Sequence, residues 1–101
     1  MSNEIGKEIF RQLGGMKMVA MTGAKNMLYH PDGFSWKMPS NFAKNKINYV
    51  KVTLNSGDLY DIEFGYIRSL NYKVVSNVPD VFNDNLRDVI ESETGLKLKL
   101  F

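Results

Sequence analysis

The chain has 101 residues, of which 44% are hydrophobic and 24% are charged, and its formal net charge is +2. This length is near the commonest domain size, so we expect a single domain, 1–101, with one core. The absence of cysteine excludes disulfides, thiolate metal sites and cysteine nucleophiles. No apolar run reaches the roughly 18–20 residues that span a bilayer, and the polar start at residues 1–4 is unlike a secretory signal. We therefore expect a cytoplasmic protein with no membrane partner.

The charge is unevenly distributed along the chain. Residues 1–52 carry eight basic and three acidic residues, whereas residues 53–101 carry five basic and eight acidic ones. Such asymmetry points to nucleic acid or an acidic partner for the first half, although chance unevenness in so short a chain is the competing explanation.

The first predicted element is a helix. Ile5, Ile9 and Leu13 recur every four residues, and Phe10 widens their apolar stripe. Gly14 and Gly15 end it, because glycine adopts the positive φ of a helix end at little cost. A helix of about twelve residues is marginal alone, so its stripe must pack on something.

Six strands are predicted next. Alternating apolar residues flank two turns, a Pro-Asp-Gly turn at 31–33 and an Asn-Ser-Gly-Asp loop at 55–58, and an apolar-rich run follows the first helix. Gly65 is interpreted as a bulge. The predicted strands cover residues 16–21, 26–30, 34–38, 50–54, 60–64 and 70–74.

A second helix is predicted from Val78-Pro79-Asp80 to Gly95, with a core stripe of Phe82, Leu86, Val89 and Ile90. The tail at 96–101 alternates leucine and lysine, which predicts an edge strand through which a homodimer can form. Together these elements predict an α+β fold: a single antiparallel β-sheet of about five to seven strands, with an N-terminal and a C-terminal helix packed on one face.

Five segments along the chain are similar to a family of short uncharacterised proteins encoded by tailed bacteriophages and prophages. They are QLGG at 12–15, MTGAKN at 21–26, INYVKVTL at 47–54, YDIEF at 60–64 and TGL at 94–96. This resemblance implies a phage or prophage origin and a host-cytoplasm setting. It brings no assigned activity and no catalytic motif.

Histidine and carboxylate side chains, which serve as general bases or metal ligands in other proteins, have simpler interpretations here. The single histidine, His30, lies in a turn and is interpreted as a surface residue, because a general base needs an orienting partner. Asp61 and Glu63 share one strand face with Asp58 nearby, which is more simply a polar outer face than a metal site. We predict no catalytic, cofactor or metal-binding residue, and hence no enzyme.

Two binding functions remain. The leading prediction is a non-enzymatic accessory protein that binds a host or phage protein, through aromatics without an assured core position, namely Phe42, Tyr66 and Tyr72. Met27 and Met38 lack an assured core position too, and the acidic helix at 80–94 offers a nucleic-acid-like surface.

The alternative is a nucleic-acid-binding protein that uses a basic face, principally Lys44, Lys46 and Lys51. The full set of candidate nucleic-acid-binding residues is Lys25, Lys37, Lys44, Lys46 and Lys51. Phe34 and Trp36 are part of the core if they face the helices, since Trp36 and Lys37 point to opposite faces of their strand.

Overall fold

The computed structural model describes residues 4–39 and 43–96. Within them, the chain forms two N-terminal helices, one antiparallel sheet and one C-terminal helix, which confirms the predicted α+β fold. The elements are α1 Glu4–Leu13, α2 Met16–Thr22, β1 Lys25–His30, β2 Gly33–Lys37, β3 Tyr49–Leu54, β4 Tyr60–Arg68, β5 Asn71–Val81 and α3 Leu86–Thr94. Short 3₁₀ turns, Lys44–Lys46 and Asn83–Asn85, precede β3 and α3.

The sheet is a meander in which the strands lie side by side in chain order. The β1–β2 turn contains only two residues, since His30 pairs with Gly33. In the β3–β4 loop, the Asn55 side-chain oxygen accepts hydrogen bonds from the backbone N–H groups of Gly57 and Leu59, at 2.8 and 3.2 Å. Asparagine commonly closes turns in this way, so local chemistry fixes the β3–β4 hairpin.

The core lies on one face of the sheet. Alternate residues of β2, β3 and β4 pair across the strands, and these side chains are buried: Phe34 with Val52, Trp36 with Val50, Val50 with Phe64, and Val52 with Ile62. Helices α1 and α3 cover this face with Ile9, Leu13, Leu86 and Ile90, all of which are buried. We call it the covered face.

Helix α1 approaches the sheet very closely at Gly6. A Cβ atom at this position would lie 2.6 Å from the backbone oxygen of Gly33 and 2.9 Å from Cδ1 of Tyr29. One turn later, the Phe10 ring packs on Phe34 with centroids 5.4 Å apart. The small residue therefore lets the aromatic cluster close beneath the helix.

The strand predicted at 16–21 is wrong, because this segment is helix α2. An apolar run cannot by itself separate a strand from a buried helix, and methionine and alanine favour helices. Only Met18 and Thr22 are buried, at helical spacing. Gly15, with φ 59°, precedes the helix, and Gly23, with φ 69°, ends it and donates its N–H to the Val19 carbonyl at 2.9 Å.

The predicted start of the second helix is also wrong. Residues 78–81 belong to β5, and α3 begins only at Leu86. Pro79 is compatible with a strand here because β5 is at the edge of the sheet. Phe82, predicted in the core, is 59% exposed, and Leu70, predicted in a strand, is a fully exposed turn residue.

The path of β5 is irregular at two places. Its pairing with β4 shifts between Tyr60 and Ile62, where Asp80 has a φ of 57° and donates its backbone N–H to the Asp61 carboxylate at 3.0 Å. It shifts again beside Gly65, where the predicted bulge occurs, but the extra residue is Val75 on β5.

The predicted edge strand at 96–101 lies outside the described residues, apart from Leu96. No helix among the described residues is long and apolar enough to cross a membrane.

Candidate binding surfaces

The face of the sheet opposite α1 and α3 carries two rows of side chains, and we call it the open face. Cross-strand pairing places Leu28, Ser35, Lys51, Glu63 and Asn77 in one row. The neighbouring row contains Lys25, Lys37, Tyr49, Gly65 and Val74. Because side chains alternate between faces, these residues lie opposite the core.

An aromatic pair stands in the middle of the open face. The Tyr72 ring lies over Gly65, where a Cβ atom would come within 2.3 Å of Cε1 of Tyr72. Its ring meets that of Tyr49 edge-on, with centroids 5.6 Å apart and planes at 86°. The Tyr72 hydroxyl donates a hydrogen bond to the Glu63 carboxylate. Desolvation and this carboxylate raise the pKa of Tyr72, so the phenol stays neutral at physiological pH.

A shallow hollow of about 310 Å³ opens between these side chains, and its remaining walls are Lys51 and Ile67. Tyr72 keeps 44% of its surface exposed beside it. The hollow therefore combines an accessible aromatic ring, a cation and a carboxylate.

The predicted lysines divide between two surfaces. Lys25, Lys37 and Lys51 lie on the open face, where Lys37 is the cross-strand partner of both Lys25 and Tyr49. Lys44 lies at the end of α3, since a Cβ atom at Gly95 would be 2.9 Å from its Cγ. Lys46 is exposed in the same 3₁₀ turn as Lys44, just before β3. Lys44 is thus on the helix side and Lys51 on the opposite side, so the predicted trio is not one continuous patch.

The predicted partner-binding aromatics are likewise not brought together. Phe42 lies outside the described residues. Tyr66 is half-buried and, by strand alternation with Ile62 and Phe64, lies on the covered face. Tyr72 is on the open face. Met38 is a core residue, which corrects its assignment to an interface.

Strand β1 forms an exposed apolar surface of which the sequence analysis indicated only Met27. Within the described residues β1 pairs only with β2, and no described strand lies along its other edge. Met27, Leu28 and Tyr29 are 38%, 58% and 43% exposed. Their apolar character predicts a strand correctly, but the edge position that exposes them depends on which strands pair.

Two polar groups resemble parts of catalytic sites. A hydrogen bond of 2.8 Å joins Nε2 of His30 to Oγ of Ser35, as in a base–nucleophile pair, but Ser35 is buried. No partner for the other ring nitrogen is found in the described part of the chain. The described residues also contain no group of three histidine, aspartate or glutamate side chains placed to hold a metal ion.

A polar cleft of about 410 Å³ separates α1 from the turn before α3. Here Arg11 forms an ion pair with Glu8, and this guanidinium and the Gln12 amide lower the pKa of Glu8 to about 2. Asp84 and Arg87 form the other wall. The acidic helix proposed at 80–94 is shorter than predicted, because Asp80 belongs to β5.

Compared with known proteins, the chain matches no family model, no curated protein and no solved structure. The resemblance to phage proteins stays a prediction.

Proposed function

We propose that this chain acts without catalysis, by binding a host or phage protein that docks along the free edge of β1. The supporting observation is the exposure of Met27, Leu28 and Tyr29 on an edge strand that has no second neighbour among the described residues. Natural sheets usually protect such edges, so an exposed apolar one marks an interaction site.

The mode of binding follows from strand chemistry. An extended segment of the partner adds to the sheet as a further strand, with main-chain hydrogen bonds providing affinity and alternate side chains providing specificity. Lys25 lies at the start of β1 and Lys37 beside it, and neither makes an ion pair within the described residues. The matching segment is therefore apolar at its centre and acidic at one end.

The setting of this function is part of the same proposal. The family resemblance supports a phage or prophage origin, which makes the host cytoplasm the compartment and a host or phage protein the partner. A homodimer formed through residues 96–101 is a separate hypothesis, which sedimentation at high concentration tests.

The experiment compares proteins captured from a bacterial lysate by three immobilised forms of the chain. Leu28→Lys places a charge in the middle of the free edge, where lysine opposes strand pairing. Met16→Lys makes the same change at an exposed position on α2 and is the matched control. We expect a protein that the wild type and Met16→Lys retain and Leu28→Lys loses. Capture that Leu28→Lys leaves unchanged, or no capture by the wild type, contradicts the proposal.

A further inference from the structure

We propose that the open face binds single-stranded nucleic acid, with a base stacked on Tyr72 at the hollow and the phosphates following Lys37 and Lys51. This site is centred on β3, β4 and β5 and shares only Lys25 and Lys37 with the docking edge proposed above, so it does not depend on a protein partner.

On the open face Lys37, Tyr49 and Lys51 are half-buried and Tyr72 is 44% exposed, so a ligand can reach this part of it. Helices α1 and α3 pack on the other face, and the hollow spans the central strand β3, its neighbour β4 and the edge strand β5. An exposed sheet surface bearing aromatic side chains is one of the recurrent platforms on which unpaired bases stack.

The aromatic part of the site is already ordered. Tyr72 is held over Gly65, against the edge of Tyr49, and by its hydroxyl on Glu63. A ring that is fixed before binding loses little conformational entropy when a base stacks on it. Stacking of this kind is worth about 1–3 kcal/mol per base and does not depend on sequence.

The cations lie where a phosphate backbone can pass. Lys37 is directly opposite Tyr49, and Lys51 follows Tyr49 by two residues on the same face. Lys37 and Lys51 are therefore diagonal neighbours, which in a sheet are about 7–8 Å apart. Lys25 extends the line beyond Lys37. None of the three makes an ion pair within the described residues, although Lys51 is the cross-strand partner of Glu63.

The carboxylates of this face are engaged. Glu63 accepts the Tyr72 hydroxyl and lines the hollow, where a base rather than a phosphate lies. The Asp61 carboxylate accepts hydrogen bonds from the Asn55 side-chain amide and from the Asp80 backbone N–H, both at 3.0 Å. These hydrogen bonds come from neutral donors, so both carboxylates keep their charge, and Lys25, Lys37 and Lys51 outnumber them by one on this face. The small positive balance favours a polyanion.

The test measures fluorescence anisotropy of labelled single-stranded DNA of about 16 nucleotides, the upper site size of small single-strand-binding folds. Single-stranded RNA of the same sequence and the corresponding duplex DNA are titrated in parallel. Neutralising three phosphates on a single strand gives a salt slope of about −2, so we expect binding to weaken by about 20-fold between about 50 and 200 mM salt. No binding of either single strand at the lower salt, or binding of the duplex at least as tight, overturns the proposal.

Charge variants locate the binding surface. Lys37→Glu combined with Lys51→Glu should abolish binding at the higher salt. Lys7→Glu combined with Lys17→Glu makes the same charge change at exposed positions on α1 and α2, and should retain most of the affinity. An equal loss in both pairs would mean that net charge alone attracts the strand, and overturns the site.

Aromatic variants test stacking. Tyr72→Ala should weaken binding at least fivefold, the equivalent of about 1 kcal/mol, while Tyr72→Phe keeps the ring and should bind within about twofold of the wild type. Gly65→Ala should weaken binding as Tyr72→Ala does, because its Cβ atom displaces the ring without altering charge. The fluorescence of Trp36, the only tryptophan and fully buried, verifies that each variant is folded. Unchanged binding by Tyr72→Ala overturns the stacking role. The stacking role is also overturned if the wild type captures a protein and no oligonucleotide, and Tyr72→Ala loses that protein.

Discussion

Replacing Gly6 with alanine sets two physical effects against each other. In an isolated helix, alanine is about 1 kcal/mol more favourable than glycine, so helix propensity predicts stabilisation. In this fold the new Cβ atom would lie 2.6 Å from the Gly33 backbone oxygen and 2.9 Å from Cδ1 of Tyr29. Both distances are shorter than real side chains tolerate, so either the helix or the hairpin must move.

The nearest obstacle determines the magnitude. A side-chain end can rotate away, but the Gly33 carbonyl belongs to a strand whose own position leaves no space, since a Cβ atom at Gly33 would lie 2.2 Å from the Val52 oxygen. Overpacking of this kind costs about 1–3 kcal/mol. With a backbone obstacle we expect the upper half of that range, and subtracting the propensity gain leaves a net destabilisation of about 1–2 kcal/mol.

The assay is thermal unfolding of wild type and Gly6→Ala, followed by Trp36 fluorescence and by circular dichroism. A loss of this size lowers Tm by roughly 5–15 °C in a domain of this length. Lys7→Ala is the matched control, because it changes an exposed residue of the same helix and should alter the free energy of unfolding by less than about 0.5 kcal/mol. If Gly6→Ala has an unchanged or higher Tm, the close approach of α1 to the sheet is refuted.

Three other changes test the fold. Asp61→Ala removes the acceptor of the Asp80 backbone N–H and should cost about 1 kcal/mol, read from the urea midpoint. Glu8→Gln tests the carboxylate whose pKa falls from 4.5 to about 2 beside Arg11. Because the folded-state pKa is the lower one, the stability it contributes is full above about pH 4.5 and is lost towards pH 2, so the two proteins should converge over that interval in acid-unfolding curves. Trp36→Phe removes a buried N–H that has no partner among the described residues. We therefore expect the free energy of unfolding, followed by circular dichroism, to change by less than about 1 kcal/mol. Trp36→Ala, which leaves a cavity, should lower it by about 3–5 kcal/mol.

The central hairpin could be predicted from the sequence because local and long-range information agree there. Val50, Val52, Ile62 and Phe64 alternate with polar residues, and the loop at 55–58 carries its own turn chemistry. One face of each strand is buried, so the alternation is strict and the register has a single solution.

Helix α2 and the end of β5 could not be predicted in the same way. The segment at 16–21 is apolar without alternation, and its state depends on Gly15 and Gly23, which allow helix boundaries at both ends. Pro79 and Asp80 look like a helix start, but here they form an irregular edge strand because Asp61, on the neighbouring strand, binds the Asp80 N–H. That contact is invisible to a window of local sequence.

The candidate sites show the same division. A lysine-rich first half is evident from composition, and strand alternation places Trp36 and Lys37 on opposite faces, as the structure confirms. What sequence could not show is which lysines share a surface. That depends on the pairing of β1 with β2 and β2 with β3, which joins Lys25, Lys37 and Lys51 and leaves Lys44 beside α3.

The proposed nucleic-acid site depends on one irregularity of the sheet. Phe64 pairs with Ser76, but the next residue, Gly65, pairs with Val74, so Val75 is an extra residue on β5. Without it, Gly65 would pair with Val75, and alternation would turn Tyr72 towards the covered face. The bulge therefore presents Tyr72 on the open face, and the missing side chain of Gly65 provides the space for its ring. Neither feature suffices alone, since a regular β5 would misdirect the ring and a larger residue at 65 would displace it.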